Sequence, residues 1–209
     1  MTTSDRRLLQ THGKLLQEAF GFTVSSRCIP DQPSGVYDQA SLETAAPKVV
    51  QLAQEMAGQA DALIISCTSD PGLAATRAAV DIPVIGAGAA AAAAALTFGG
   101  RIGVLGLGAH VPGPIADSLG DRMLLIDGGG RLETPDAFLM PAGIFDALAA
   151  AHMLVDAGAD VIVQASTGLS SIGMADVLRR RLGVPVIDAV TAAGSMLVSA
   201  VVARELQKV

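Results

Sequence analysis

The sequence predicts an α/β fold: two pseudo-symmetric parallel-sheet βαβ halves with a site in the cleft between them. Three observations carry that expectation. Apolar runs such as "ALIIS" and "DVIVQAS" are short and continuous rather than alternating, as in strands buried on both faces of a parallel sheet. Stretches of helical length and period separate these runs, which is the pattern of βαβ units. Two of the strand-and-turn segments also match each other, "DALIISCTSD" from Asp61 and "DVIVQASTGL" from Asp160.

The elements follow in order. Asp5 to Phe20 places Leu8, Leu9, Leu15, Leu16, Ala19 and Phe20 at helical spacing, with Ser4 or Asp5 as the cap. "FTVSSRCI", from Phe22 to Ile29, has the composition of a strand. The loop "PDQPSGVYDQ" leads into a helix over 41–58 with Ser41 as its N-cap. Five more runs read as strands after "ALIIS": "PVIGA", "RIGVLGL", "RMLLID", "DVIVQAS" and "VPVIDAV". Helices are expected at 71–80, 88–98, 114–119, 142–157, 174–182 and 189–206. The first half is drawn from 1–96 with 189–209, and the second from 97–188.

Composition narrows the function. A chain of 209 residues can build one sizeable core or two smaller ones. No run reaches the roughly 18 strongly apolar residues of a membrane span. The opening "MTTSDRRLLQTHGK" is polar and charged, so a cytoplasmic location without membrane attachment is expected. A net charge of −6 and the absence of Trp argue against nucleic acid, which asks for a basic stripe and stacking aromatics. The expected partner is a small-molecule substrate. Cys28 and Cys67 form neither a disulfide framework nor a metal knuckle, and the chain offers no dedicated metal or nucleotide site. "GVLGLGAHVPG" imitates a dinucleotide fingerprint, but its third glycine, Gly113, falls beyond a proline.

The repeat identifies the residues that carry chemistry. Asp61 and Cys67 stand six apart, as do Asp160 and Ser166, and a threonine follows each, Thr68 and Thr167. Each copy then reads helix, "[IV]PVI" strand and small-residue helix. Ligands of open parallel sheets bind outside the carboxyl ends of the strands, so Cys67 and Ser166 are expected to face each other across the cleft.

These blocks resemble a known family. "CTSDPGL" after a buried strand, then "IPVIGAG", "RIGVLG" and "VPVIDAV", is similar to the aspartate/glutamate/hydantoin racemase superfamily, nearest its hydantoin and allantoin racemase branch. The likeness runs from about Pro30 onward. It implies a cofactor-independent isomerase in which two cysteines, one from each half, remove and return a proton on opposite faces of a carbon beside a carbonyl. Cys67 matches the first cysteine, and Ser166 stands in the place of the second. The loop "PSGVYD" matches a segment that covers the pocket in relatives, which nominates Ser34 and Tyr37 as lining residues. Relatives open with a strand, whereas here Met1 is followed almost at once by the first helix, so either that strand is absent or the true start lies upstream. Its absence would leave a strand edge to be covered by a loop or a partner chain, and a homo-oligomer is expected.

The physical reading stands beside the resemblance. A thiol becomes a usable base when amide donors or a helix N-terminus lower its ordinary value of about 8.5. Thr68, Ser69 and Gly72 supply such a turn, whereas a free cysteine at a strand end can also be only a small buried hydrophobe. Asp70, just before Pro71, reads as the cap of the helix that follows. Ser166 cannot readily become an anionic base, but it can donate a proton or cap a helix. Thr68, Ser69, Thr167 and Gly168 are the expected substrate cradle. His110, in a loop after a strand, is a candidate pocket acid or base, while His12 and His152 read as packing or surface residues. Asp188 reads as the cap of the last helix. The leading expectation is a racemase or isomerase with Cys67 as principal base. A one-thiol decarboxylase or cis-trans isomerase, and a non-catalytic binding paralogue, remain the alternatives.

Overall fold

The computed structural model describes residues 5–32, 35–108, 110–126 and 135–206, and the expected positions of Ser4 and Ser34 lie outside them. The helices are α1 (Arg6–Phe20), α2 (Gln39–Ala57), α3 (Leu73–Ala79), α4 (Ala87–Leu96), α5 (Gly113–Leu119), α6 (Pro141–Asp156), α7 (Thr167–Ser171), α8 (Met174–Leu182) and α9 (Ala189–Leu206). The strands are β1 (Leu63–Ile65), β2 (Val84–Gly86), β3 (Ile102–Leu105), β4 (Met123–Leu124), β5 (Val161–Gln164) and β6 (Val186–Ile187). All described strand pairs are parallel: β1 with β2 in one sheet, and β4-β3-β5-β6 in the other.

Strand periodicity divides the core. Val161 and Val163 of β5, with Ile102 and Val104 of β3, face a cluster built on α4, α5 and α9. Ile162 and Leu105 face the opposite cluster, with Leu154 of α6, Leu178 of α8 and Phe138. Successive side chains of a strand point to opposite faces, so one continuous apolar run serves two cores. On α4, Ala87, Ala91, Ala92 and Ala95 are fully buried, and such small side chains let α9 and α5 pack closely against it. Helix α9 also packs against α1 and lies over β1 and β2.

Three expectations change. Phe22–Ile29 forms no strand. It packs on α1, where Val24 and Ser26 sit over Gly13, and Phe22 stacks on Phe20 with ring centroids 5.3 Å apart. A strand needs a neighbouring backbone to bond to. Here a cavity of about 840 Å³ is lined by residues 22–29 on one side and by 59–67 on the other. The described partner of β1 is β2, and its other side borders this cavity. The second change is at α2, which begins at Gln39 and is capped by Asp38. Ser41 is the N3 residue of a capping box: its amide donates to Asp38 Oδ1 at 2.8 Å and its Oγ accepts from the Asp38 amide at 3.0 Å. Lastly, α3 starts at Leu73 with Gly72 as a left-handed N-cap, so neither Pro71 nor Asp70 opens it.

Candidate active site

Cys67 lies two residues beyond β1, and Ser166 two residues beyond β5. The two turns are joined by a reciprocal pair of hydrogen bonds. Thr68 Oγ1 donates to the Ala165 carbonyl at 2.8 Å, and Thr167 Oγ1 donates to the Ser66 carbonyl at 3.4 Å. In each case the threonine after one nominated residue bonds to the carbonyl before the other. The repeat seen in the sequence is therefore a pseudo-twofold in space. It extends outward: Arg77 Nε of α3 donates to the Val84 carbonyl at 3.0 Å, and Arg179 Nε of α8 donates to the Val186 carbonyl at 3.1 Å.

A small pocket lies between the turns, with a volume of about 30 Å³. That is space for about two waters, so a substrate enters only if the lining gives way. Cys67, Thr68, Ser69, His110, Ser166, Thr167 and Gly168 line it together with Gly35, Val36 and Leu107. The structure thus brings most of the nominated residues to one place. Tyr37 is the exception, because its half-buried ring packs against the core cluster that contains Phe138 and Leu154 while Gly35 and Val36 take the lining positions. His110 is exposed at the pocket rim. Thr68 and Thr167 are buried and spend their hydroxyl protons on the cross-ties, which leaves only acceptor capacity toward a ligand.

The electrostatics of Cys67 differ from the sequence expectation. Burial pushes its thiol up, outweighing the backbone and side-chain hydrogen bonds from Ser69 that favour the thiolate, and the Asp70 charge pushes the same way as burial. Cys67 is accordingly a neutral thiol near pH 7. Ser166 is the N-cap of α7, its Oγ accepting from the Gly168 amide at 3.3 Å. A capping hydroxyl uses a lone pair, so its proton remains able to donate.

Asp70 is a helix cap, but of α4 rather than the helix that follows it. Its carboxylate accepts from the Gly88 amide at 2.9 Å and the Ala89 amide at 2.8 Å. Burial pushes it up to about 6 against these two donors. In the second half Asp188 caps α9 in the matching register, accepting from the Val190 and Thr191 amides at 3.0 and 2.9 Å. Gly86 occupies the sequence place of Asp188, and a Cβ there would collide with the Asp70 carboxylate. The first half has thus exchanged a local cap for one delivered from the Cys67 turn.

His12 was not expected at the site. Its Nδ1 is 2.8 Å from Ser66 Oγ, and its Nε2 is 3.0 Å from the Thr167 carbonyl oxygen. The signal was a polar residue at the centre of the Leu8, His12, Leu16 stripe of α1. Among the described residues no group of three His, Cys, Asp or Glu side chains could hold a metal ion.

The chain is similar to known proteins in sequence and in fold. The family profile described as Asp/Glu/Hydantoin racemase matches residues 6–197. A hydantoin racemase of Rhizobium meliloti is 30% identical over 188 residues, covering 83% of this chain and 74% of its own. The allantoin racemase of Klebsiella pneumoniae superposes with a TM-score of 0.82 at 23% identity, over 96% of this chain and 84% of that one. The allantoin racemase of Pseudomonas fluorescens gives a TM-score of 0.77 at 22% identity, over 92% and 84%.

Proposed function

The chain belongs to the Asp/Glu/hydantoin racemase family, and from that premise we propose that it inverts an α-carbon of a small hydantoin-like or amino-acid-derived substrate without a cofactor. Cys67 is the principal proton-transfer group on one face, and Ser166 serves the other. The observation that carries this reading is the reciprocal tie of Thr68 to Ala165 and Thr167 to Ser66, which sets the two groups on matched turns of a shared pocket. Removing an α-proton leaves charge on the adjacent carbonyl oxygen, and donors for it must come from the two turns, where the Ser69 and Gly168 amides bond Cys67 and Ser166 Oγ in the free site. Cys67 must first lose its own proton, because its thiol is held neutral by burial. The halves are taken as 1–96 with 189–209, and 97–188. A cytoplasmic location and a homo-oligomeric state belong to the same reading; among the described residues no helix is long and apolar enough to cross a membrane.

A second reading is favoured by the Ser166 cap at 3.3 Å. If that hydroxyl only caps α7, the site has one thiol and fits a decarboxylase or cis-trans isomerase. The test is a panel of 5-substituted hydantoins, allantoin, aspartate, glutamate, maleate and arylmalonates, followed by solvent-deuterium exchange, optical rotation and product formation. The proposal expects α-proton exchange and inversion with at least one hydantoin or ureide, both abolished in a folded Cys67→Ala. Turnover only of maleate or an arylmalonate selects the one-thiol reading. Silence across the panel with a folded protein selects a binding paralogue.

A further inference from the structure

His12 is a half-buried polar residue that the proton-transfer chemistry does not use, and its ring bridges three groups across the cleft. Nδ1 lies 2.8 Å from Ser66 Oγ, while Nε2 lies 3.0 Å from the Thr167 carbonyl oxygen and 2.9 Å from Ser171 Oγ. The partners assign the tautomer. A carbonyl oxygen only accepts, so Nε2 carries the hydrogen and Nδ1 accepts from the Ser66 hydroxyl. Ser171 Oγ donates in turn to the same Thr167 carbonyl at 3.3 Å.

The position of these partners matters more than their number. Ser66 immediately precedes Cys67, and Thr167 immediately follows Ser166. The two cross-ties between the turns are unequal: Thr68 to Ala165 is 2.8 Å, and Thr167 to Ser66 is 3.4 Å, near the limit of a useful bond. His12 spans the weaker tie, entering from α1, outside both sheets. We propose that His12 is a positioning residue, a strut that sets the distance between the Cys67 and Ser166 turns so that a proton removed on one face can be returned on the other. The proposal rests on the assignment of Cys67 and Ser166 as the two transfer groups. Burial pushes the imidazole down to about 4, outweighing the Thr167 carbonyl and the Asp188 charge, which favour protonation. The ring therefore keeps its Nδ1 acceptor for Ser66 across the neutral range.

The test compares His12→Leu, which removes the hydrogen bonds to both turns, with His12→Gln, whose amide keeps a donor and an acceptor. Three quantities are read on the intact chain: melting temperature, iodoacetamide labelling of Cys67 and Cys28 resolved by peptide mapping, and the ratio of inversion to exchange. His12→Leu is expected to label Cys67 about fivefold faster with Cys28 unchanged, and to lose about tenfold in inversion relative to exchange, because one-face exchange needs only Cys67. His12→Gln should return both ratios toward the parent. A role in stability alone lowers the melting temperature and leaves both ratios unchanged, which overturns the strut. If the parent turns over no substrate, that result counts against the functional assignment. The labelling ratio then decides His12 by itself, an unchanged ratio overturning the strut. Should His12→Leu fail to fold, His12→Asn, too short to reach both turns, takes its place with the same expected and contrary results.

Discussion

The Cys67 thiol sets the pH behaviour of the site. Its value is raised by burial, and a raised value means that the reactive thiolate thins tenfold for each pH unit below it. Alkylation of Cys67 in the parent should therefore climb through the alkaline range with a midpoint above that of an ordinary thiol, about 8.5. A midpoint below 7 would contradict the burial argument. Asp70 gives a second prediction of the same origin, burial of an ionisable group. A carboxyl raised to about 6 stabilises the fold below its unfolded value of 3.8, and that contribution is lost as pH rises through about 6. Urea melts from pH 4 to 7 should show the parent losing stability relative to Asp70→Asn, by roughly 1–3 kcal/mol. Parallel curves would show that Asp70 titrates normally. The matched positions of Cys67 and Ser166 on the two turns are legible in the sequence because a repeat marks position without any knowledge of contacts. Asp70 and His12 were misread because their partners are remote in sequence, Gly88 and Thr167, and only folding brings these together.

Elements were legible where the pattern is local. Helices α8 and α9 fall on the expected 174–182 and 189–206, and each later strand lies within its apolar run. Phe22–Ile29 forms no strand because strand composition cannot supply a partner backbone, and the cavity separates it from β1 on the far side. The start of α2 moved because its capping box uses Asp38 as cap and Ser41 as N3, two residues that are both good caps in isolation. At the β2–α4 junction, glycine is required by close approach. A Cβ on Gly88 would strike the Thr68 carbonyl oxygen and come within 3.2 Å of Asp70 Oδ2. Gly88→Ala should therefore cost roughly 1–3 kcal/mol in a urea melt and reduce turnover further by displacing the Thr68 turn. Parent-like stability and activity would mean that the turn yields without consequence.

At the scale of the molecule, two parallel sheets meet at turns that are cross-tied, capped and braced by one histidine. The surface carries apolar groups that this architecture leaves uncovered. Met140, Ile144 and Phe145 are exposed around the start of α6, and Val198, Val202 and Leu206 are exposed four residues apart along α9. Exposed apolar side chains grouped on one helix favour self-association. Sedimentation should give a mass above the 21.1 kDa of one chain, and Phe145→Asp should lower it if the α6 surface is the contact. A monomer at all concentrations would contradict the proposed self-association. The central claim, that Cys67 and Ser166 serve opposite faces of one carbon, is tested most directly by the ratio of inversion to solvent-deuterium exchange in the parent and in Ser166→Cys. The parent should exchange one enantiomer faster than it inverts it, since Cys67 can return the proton to the face it came from. Placing a thiol on the second face should raise the ratio about tenfold, equivalent to roughly 1.4 kcal/mol of barrier. An unchanged ratio in Ser166→Cys, or parent-like inversion in Ser166→Ala, would reduce Ser166 to a helix cap and contradict the two-face account.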